Sequence, residues 1–199
     1  MKLQDSLPRG VTVRGRFVKL DLDFRNVLRM MEILARDDLM PEARTYNALR
    51  CITRKPRNGQ ETLQAVRELL FPATKKNPTQ AKITDFEQDA DLIRAAFRQV
   101  YGIDLWRDRL HWLEFSALLA GLPEGNRYNE VLGIRARPLP APTKYNAEER
   151  KWLIQAKADL ALHVTEKEQR ESYERSARGL AESLLALAAS KGGETTDGS

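Results

Sequence analysis

The sequence TDFEQDADLIRAAFRQVYGIDLWRDRLHWLEFSALLAGLP, residues 84–123, predicts two helices that meet at Gly102. Thr84 or Asp85 is placed to cap the first helix, and its apolar residues recur at spacings of three and four, which puts them on one face. This face comprises Phe86, Ala90, Ile93, Phe97 and Val100. Gly102 follows Tyr101 at the position where many helices end in a left-handed residue. We therefore expect the first helix to end there.

The second predicted helix, residues 106–120, is apolar on two sides. Trp106, Leu110, Leu113 and Ala117 form one face, and Trp112, Phe115, Leu118 and Leu119 form the opposite one. A helix of this kind is normally buried between its neighbours, so we expect it at the centre of the core. The predicted core residues of the two helices are Phe86, Asp89, Ile93, Phe97, His111, Trp112 and Phe115.

Asp89 interrupts the apolar face of the first helix. At about 100° per residue it falls between Ile93 and Ala96, and a buried carboxylate needs a hydrogen-bond donor. His111 is the expected partner, and an indole N–H of Trp112 or Trp106 is the alternative. An Asp–His pair can be catalytic, but neither a nucleophile nor a set of metal ligands lies nearby in the sequence. We therefore interpret the pair as a hydrogen bond within the core.

A long series of short motifs runs through the same stretch. In order, these are Asp85-Phe86, Asp89-Ala90, Leu92-Ile93, Ala95-Ala96-Phe97, Tyr101-Gly102-Ile103-Asp104-Leu105, Leu110-His111-Trp112, Phe115, Ala117-Leu118-Leu119 and Gly121-Leu122-Pro123. Together they resemble the bacteriophage "gene product fifteen" family of tailed phages and prophages. The resemblance extends more weakly to Asp23-Phe24-Arg25 and to residues 133–135. Leu113 and Arg94 depart from it, since members often carry aromatic residues there.

The resemblance implies a role in phage tail assembly. Genes of this family lie just before the tape-measure gene, where tail-assembly chaperones are usually encoded. The implied protein is a non-catalytic chaperone in the host cytoplasm that binds the apolar faces of the helical tape-measure protein. Other tail-assembly proteins are further candidate partners, and self-association is another. Two alternatives remain: a nucleic-acid-binding phage protein that uses a basic N-terminal half, and a structural component of the tail.

Charge is distributed unevenly along the 199 residues. Residues 1–84 hold 17 Lys and Arg against 9 Asp and Glu, whereas residues 85–199 hold 16 against 19. The basic half nevertheless lacks a run of like charges and a nucleic-acid-binding motif, which argues against nucleic acid as a partner. No apolar stretch approaches the ~20 residues of a membrane span, so we expect neither membrane insertion nor secretion.

Enzyme signatures are missing from the sequence. It contains no phosphate-binding Walker loop, no dinucleotide glycine pattern and no nucleophile elbow. The single cysteine, Cys51, rules out an internal disulfide, and His111 and His163 are not at metal-ligand spacings. We therefore expect a protein that is not an enzyme and that has no cofactor and no metal.

The rest of the first 136 residues predicts one compact all-α domain with a small β-hairpin at its N-terminus. VTVRGRFVKL, residues 11–20, alternates as a strand and turns at Gly15, and we expect the hairpin to lie against helices. Helices are predicted over residues 23–36, 41–53 and 59–71. A short helix interrupted by Gly133 follows Pro123.

Beyond this domain we predict a proline-rich linker (137–145), a C-terminal helical appendage (146–190) and a disordered tail (191–199). Asn146 and Glu149 form a capping box for a helix whose face includes Trp152. The last helix carries a heptad-like seam made of Tyr173, Ala177, Leu180, Leu184 and Leu187. This seam is a candidate partner-binding surface for a second copy of the chain or for the tape-measure protein. Packing against the Trp152 helix is the alternative.

Overall fold

The computed structural model describes residues 4–72 and 83–163, and these are mostly helical. The elements are β1 (Gly10–Val13), β2 (Arg16–Lys19), α1 (Phe24–Ala35), α2 (Pro41–Ile52), α3 (Gly59–Leu70), α4 (Ala90–Tyr101), α5 (Trp112–Ala120), α6 (Arg127–Ala136) and α7 (Ala147–Asp159). This confirms the predicted helical fold with a small N-terminal hairpin. The predicted seam and tail, residues 168–199, lie outside the described residues.

The hairpin forms because its turn suits the twist of the strands. Arg14 and Gly15 both have positive φ, 49° and 73°, as a two-residue type I′ turn requires. Val13 then pairs with Arg16 in an antiparallel register. The hairpin packs against α3, and the Arg14 guanidinium forms an ion pair with Glu61 on that helix. The prediction that the hairpin lies against helices is confirmed.

Helices α1 and α2 begin at residues that cap them or restrict their backbone. The Asp23 carboxylate accepts a hydrogen bond from Arg25 N at 3.1 Å and so caps α1. Pro41 is the first residue of α2, where its missing N–H costs nothing. In α1, Met30 is fully buried and Met31 is only partly buried, so Met30 is the methionine that lies in the core.

Helix α4 ends as predicted but starts later. Asp85 Oδ1 accepts hydrogen bonds from Glu87 N and Gln88 N, so it caps a turn at residues 86–89, and α4 itself begins at Ala90. At the other end, Gly102 has φ 69° and donates to Arg98 O, while Ile103 N donates to Phe97 O. This is the left-handed C-terminal cap expected from the sequence.

The second predicted helix was placed too early: α5 begins at Trp112, not at Trp106. The preceding residues pair with the chain just before α1, because Phe24 N donates to Leu110 O and Trp112 N donates to Leu22 O. Backbone that forms this antiparallel bridge adopts an extended conformation and cannot also join a helix. The predicted apolar face that begins at Trp106 therefore does not form.

His111 caps α5 instead of reaching Asp89. Its Nδ1 accepts from Leu113 N at 3.1 Å, and its Nε2 then carries the proton donated to Pro8 O at 3.0 Å. From this position α5 still supplies the centre of the core. The Phe115 ring is 1% exposed and lies 4.6 Å from Phe24 and 5.3 Å from Phe97, measured between ring centroids.

Asp89 is buried, as predicted, but its partner is Arg135 and not His111 or a tryptophan. Its Oδ2 accepts from Arg135 Nη1 at 2.8 Å, from Asp85 N at 2.9 Å and from Thr84 Oγ1 at 3.3 Å. Asp89 lies at the start of α4, where α6 is the adjacent helix, whereas His111 is engaged at the start of α5. The prediction that the buried Asp89 carboxylate needs a donor is confirmed, but the predicted donor, His111, is wrong.

Helices α6 and α7 complete the compact unit, which runs to Leu160 and thus includes the proline-rich segment and α7. Helix α6 passes through Gly133 without the predicted interruption. The predicted capping box is absent: the Asn146 side chain bonds to Thr143 N and Ala141 O instead. Leu153, not Trp152, is the buried residue of α7.

Candidate partner-binding groove

A groove is lined by residues of α1 and α4 and by Leu105 and Trp106 in the loop that follows Gly102. Its volume is about 390 Å³, and we call it the α1–α4 groove. The apolar part of its lining is formed by Phe24, Leu28, Phe86, Ala90, Ile93, Leu105 and Phe115. Most of these side chains also belong to the core or pack against it, so the floor of the groove is the edge of the core itself.

The floor of the groove includes aromatic rings that pack around Phe115. Its ring stacks on Phe24 and Phe97, and Phe86 lies 6.2 Å from it at a tilted angle. Aromatic rings at these distances attract one another beyond the area that they bury. A partner side chain that enters the groove therefore meets a preformed apolar surface.

Trp106 stands at the rim and is 72% exposed. The turn that carries it is held by two carboxylates: Asp104 Oδ1 accepts from Trp106 N at 3.0 Å, and Asp108 Oδ2 accepts from Asp104 N at 2.8 Å. Arg25 adds two further bonds, from Nη2 to Leu105 O and to Asp108 O. The fold thus fixes the backbone of a large apolar side chain that remains open to solvent.

The rim around Trp106 is mainly basic. Arg25, Arg29, Arg94 and Glu32 line the groove, and the Arg94 guanidinium lies 5.0 Å from the centre of the Trp106 ring. This distance allows a cation–π contact. Trp106 and Arg94 also line a second depression of about 580 Å³. An apolar floor, an exposed tryptophan and arginines at the rim suit an amphipathic helix with acidic flanks.

The predicted core residues differ in how deeply they are buried and in whether they line the α1–α4 groove. Asp89, Ile93, Phe97, Trp112 and Phe115 are buried, and Phe86 and His111 are partly exposed. Phe86 and Ile93 reach the α1–α4 groove, whereas Asp89 belongs to a separate network with Arg135. The candidate partner-binding residues Tyr173, Leu180, Leu184 and Leu187 lie outside the described residues.

The Asp89 network is structural in its geometry. The Arg135 side chain is 12% exposed and also donates to Ile83 O at 3.1 Å and Leu160 O at 2.6 Å. The Tyr128 hydroxyl lies 2.9 Å from Thr84 Oγ1, and burial raises the pKa of this phenol. Most of these polar groups thus bind another part of the fold, whereas Asp89 Oδ1 is buried without a hydrogen-bond partner among the described residues.

Sequence reasoning missed Trp106 as a surface residue because the period of the apolar residues continued across the loop. A signal was nevertheless present: Asp104 and Asp108 flank the tryptophan, and aspartate side chains commonly bond to nearby backbone N–H groups in turns. Those bonds are present here.

Among residues 4–72 and 83–163, no group of three or more His, Cys, Asp or Glu side chains is arranged to hold a metal ion. Within the same residues, no helix has the length and apolar character needed to cross a membrane.

The chain matches the model of a known protein family. The family model described as Bacteriophage Gp15 protein matches residues 3–162, which include every element described above. No curated protein and no solved structure is detectably similar to the chain.

Proposed function

Because the chain belongs to the bacteriophage Gp15 family, we propose that it is a tail-assembly chaperone that binds the tape-measure protein in the host cytoplasm. The resemblance described above implies this role, since the genes of the family lie beside the tape-measure gene. The proposed action is binding alone, without catalysis, a cofactor or a metal.

The observation that carries the proposal is Trp106, 72% exposed above the α1–α4 groove. Tryptophan is the residue most often found as the energetic centre of a protein interface. A tape-measure protein is long and helical, and its apolar helix faces need cover before the tail is assembled. We expect one such face to enter the groove and acidic residues beside it to face Arg29 and Arg94, of which Arg94 also pairs with the exposed Asp91 at 2.9 Å.

The test is co-expression of the full-length chain with the tape-measure protein encoded by the same phage, followed by capture through a tag on the chain. We expect the unaltered chain to retain the tape-measure protein. Trp106→Ala should weaken binding by at least about tenfold, as loss of a hot-spot tryptophan does. Combined Arg29→Glu and Arg94→Glu should weaken it as well, because the rim then repels acidic flanks.

Trp152→Ala is the matched control, because Trp152 is also an exposed tryptophan, at 55%, and lies on α7. It should leave capture unchanged. The proposed role is wrong if the unaltered chain does not retain the tape-measure protein. If it does, but Trp106→Ala and the arginine variant bind normally, the role stands and the groove is not its site.

A further inference from the structure

A second groove crosses the face formed by β2 and the loop between α2 and α3. Its volume is about 780 Å³, and we call it the basic groove. The cations that line it are Lys19, Arg54, Lys55, Arg57 and Arg109. Arg109 is balanced by Asp21 at 2.9 Å and Asp23 at 3.2 Å. The other four are exposed and form no ion pair within the described residues.

An exposed aromatic ring lies in the same groove. Phe17 on β2 is 65% exposed. Its ring rests against the backbone of Gly10 on β1, where an added Cβ would come within 2.6 Å of the ring carbon Cζ. The glycine therefore gives the ring a support, while most of its surface stays open to solvent.

We propose that the basic groove binds single-stranded nucleic acid. Sites of this kind combine cations that contact phosphates with aromatic rings on which bases stack, and both are present here. An acidic protein segment would be attracted by the four cations, but it would give Phe17 no planar partner. A duplex would keep its bases stacked on one another and away from the ring. The combination of charge and aromatic surface therefore favours a single strand.

The fold explains why the sequence argues against such a partner. Lys19 lies on β2, whereas Arg54, Lys55 and Arg57 lie between α2 and α3, so these cations form no single run of charge. They become neighbours only when the hairpin packs beside the helices. The sequence likewise identifies Phe17 only as an apolar strand residue and does not show that its ring is exposed.

The test measures binding of a fluorescent oligothymidine to the full-length chain by anisotropy. We expect salt-sensitive binding, with a slope of log affinity against log salt near about −3 for four phosphate contacts. Combined Lys55→Glu and Arg57→Glu should weaken binding more than about tenfold. The control, combined Lys144→Glu and Lys151→Glu, changes exposed lysines on another segment and on α7. Its affinity should stay within about twofold at salt that screens distant charges.

Phe17 variants separate stacking from charge. Phe17→Leu should weaken binding by about tenfold, and Phe17→Tyr should restore it, because only tyrosine keeps a ring for stacking. Circular dichroism shows whether Phe17→Leu is folded. If it is not, the proposal is supported when Phe17→Tyr keeps the affinity for oligothymidine and Lys55→Glu with Arg57→Glu lowers it, and it is overturned when the charge variant binds normally.

The proposal is overturned if oligothymidine fails to bind at low salt, or if the lysine control loses as much affinity as the groove variant. It is also overturned if polyglutamate binds as tightly as oligothymidine and Phe17→Leu changes the affinity for neither ligand. The groove would then bind an acidic protein segment. Trp106→Ala should leave oligothymidine binding unchanged. The nucleic-acid proposal and the tape-measure proposal can therefore fail independently of each other.

Discussion

Arg135 makes more long-range contacts than its place near the end of a short helix suggests. One guanidinium binds the Asp89 carboxylate, the backbone of Ile83 and the end of α7 at Leu160. The Asp89 side chain is only 1% exposed, so its carboxylate has almost no contact with water and relies on protein donors such as Arg135. Removing one member of a buried ion pair leaves the other without solvation and costs far more than a surface pair is worth.

Arg135→Ala should therefore lower the free energy of unfolding by about 3–5 kcal/mol. The measurement is a chemical denaturation curve of the full-length chain. Arg127→Ala is the matched control on the same helix, because Arg127 is 62% exposed and pairs with Glu130 at 3.3 Å. It should change stability by less than about 1 kcal/mol. Equal effects of the two substitutions would show that Asp89 does not depend on Arg135.

The Asp89 contacts also show what the sequence reveals at the scale of one residue. Burial follows from local periodicity, so Asp89 could be placed inside from its neighbours alone. The partner is a property of packing between helices, and Arg135 lies 46 positions away. His111 was chemically suitable, but its ring nitrogens bind Leu113 N and Pro8 O, and the contact with Pro8, 103 positions away, has no local signature.

At the scale of elements, α5 shows that short-range pattern and tertiary pairing can compete. The apolar spacing of residues 106–120 continues smoothly, yet the helix starts at Trp112 because its preceding backbone pairs with residues 22–24. The type and end of α4 were predictable, since Gly102 acts locally. The start of α5 was not, since it depends on a segment far away in the chain. Because α5 begins at Trp112, Trp106 lies in the preceding loop, where it is exposed at the rim of the α1–α4 groove.

Phe115→Ala should lower the free energy of unfolding by about 3–5 kcal/mol, because it removes a fully buried ring that three other phenylalanines contact. Denaturant titration measures the change. Tyr145→Ala removes another aromatic ring, but Tyr145 is 85% exposed, so its effect should stay within about 0.5 kcal/mol. A loss for Phe115→Ala as small as that of the control would mean that α5 does not support the core.

At the scale of the whole molecule, two independent limits nearly coincide. The compact unit ends at Leu160, and the family match ends at residue 162. The proline-rich segment 137–145, from which a domain boundary was predicted, lies inside this unit. Prolines predict an extended backbone correctly but do not show whether that backbone packs on its own domain. Leu153 and the contacts of Arg135 tie α7 to what precedes it.

Deletion of residues 167–199 should preserve the thermal unfolding transition, because the compact unit and the family match both end before the deletion. The seam of Tyr173, Ala177, Leu180, Leu184 and Leu187 remains a predicted contact with another chain. We therefore expect light scattering to report a smaller oligomer for the truncated chain. If instead it keeps its mass and its tape-measure partner but melts at lower temperature, the seam belongs to the fold of its own chain.

The contacts of Arg135 also have a consequence for the lifetime of the folded state. They join positions separated by 25, 46 and 52 residues, so they form only after the chain has closed large loops. Contacts completed after the folding transition state leave the rate of folding nearly unchanged and slow the rate of unfolding. We therefore expect Arg135→Ala to raise the rate of unfolding more than it lowers the rate of folding, and the two arms of a chevron plot measure these rates.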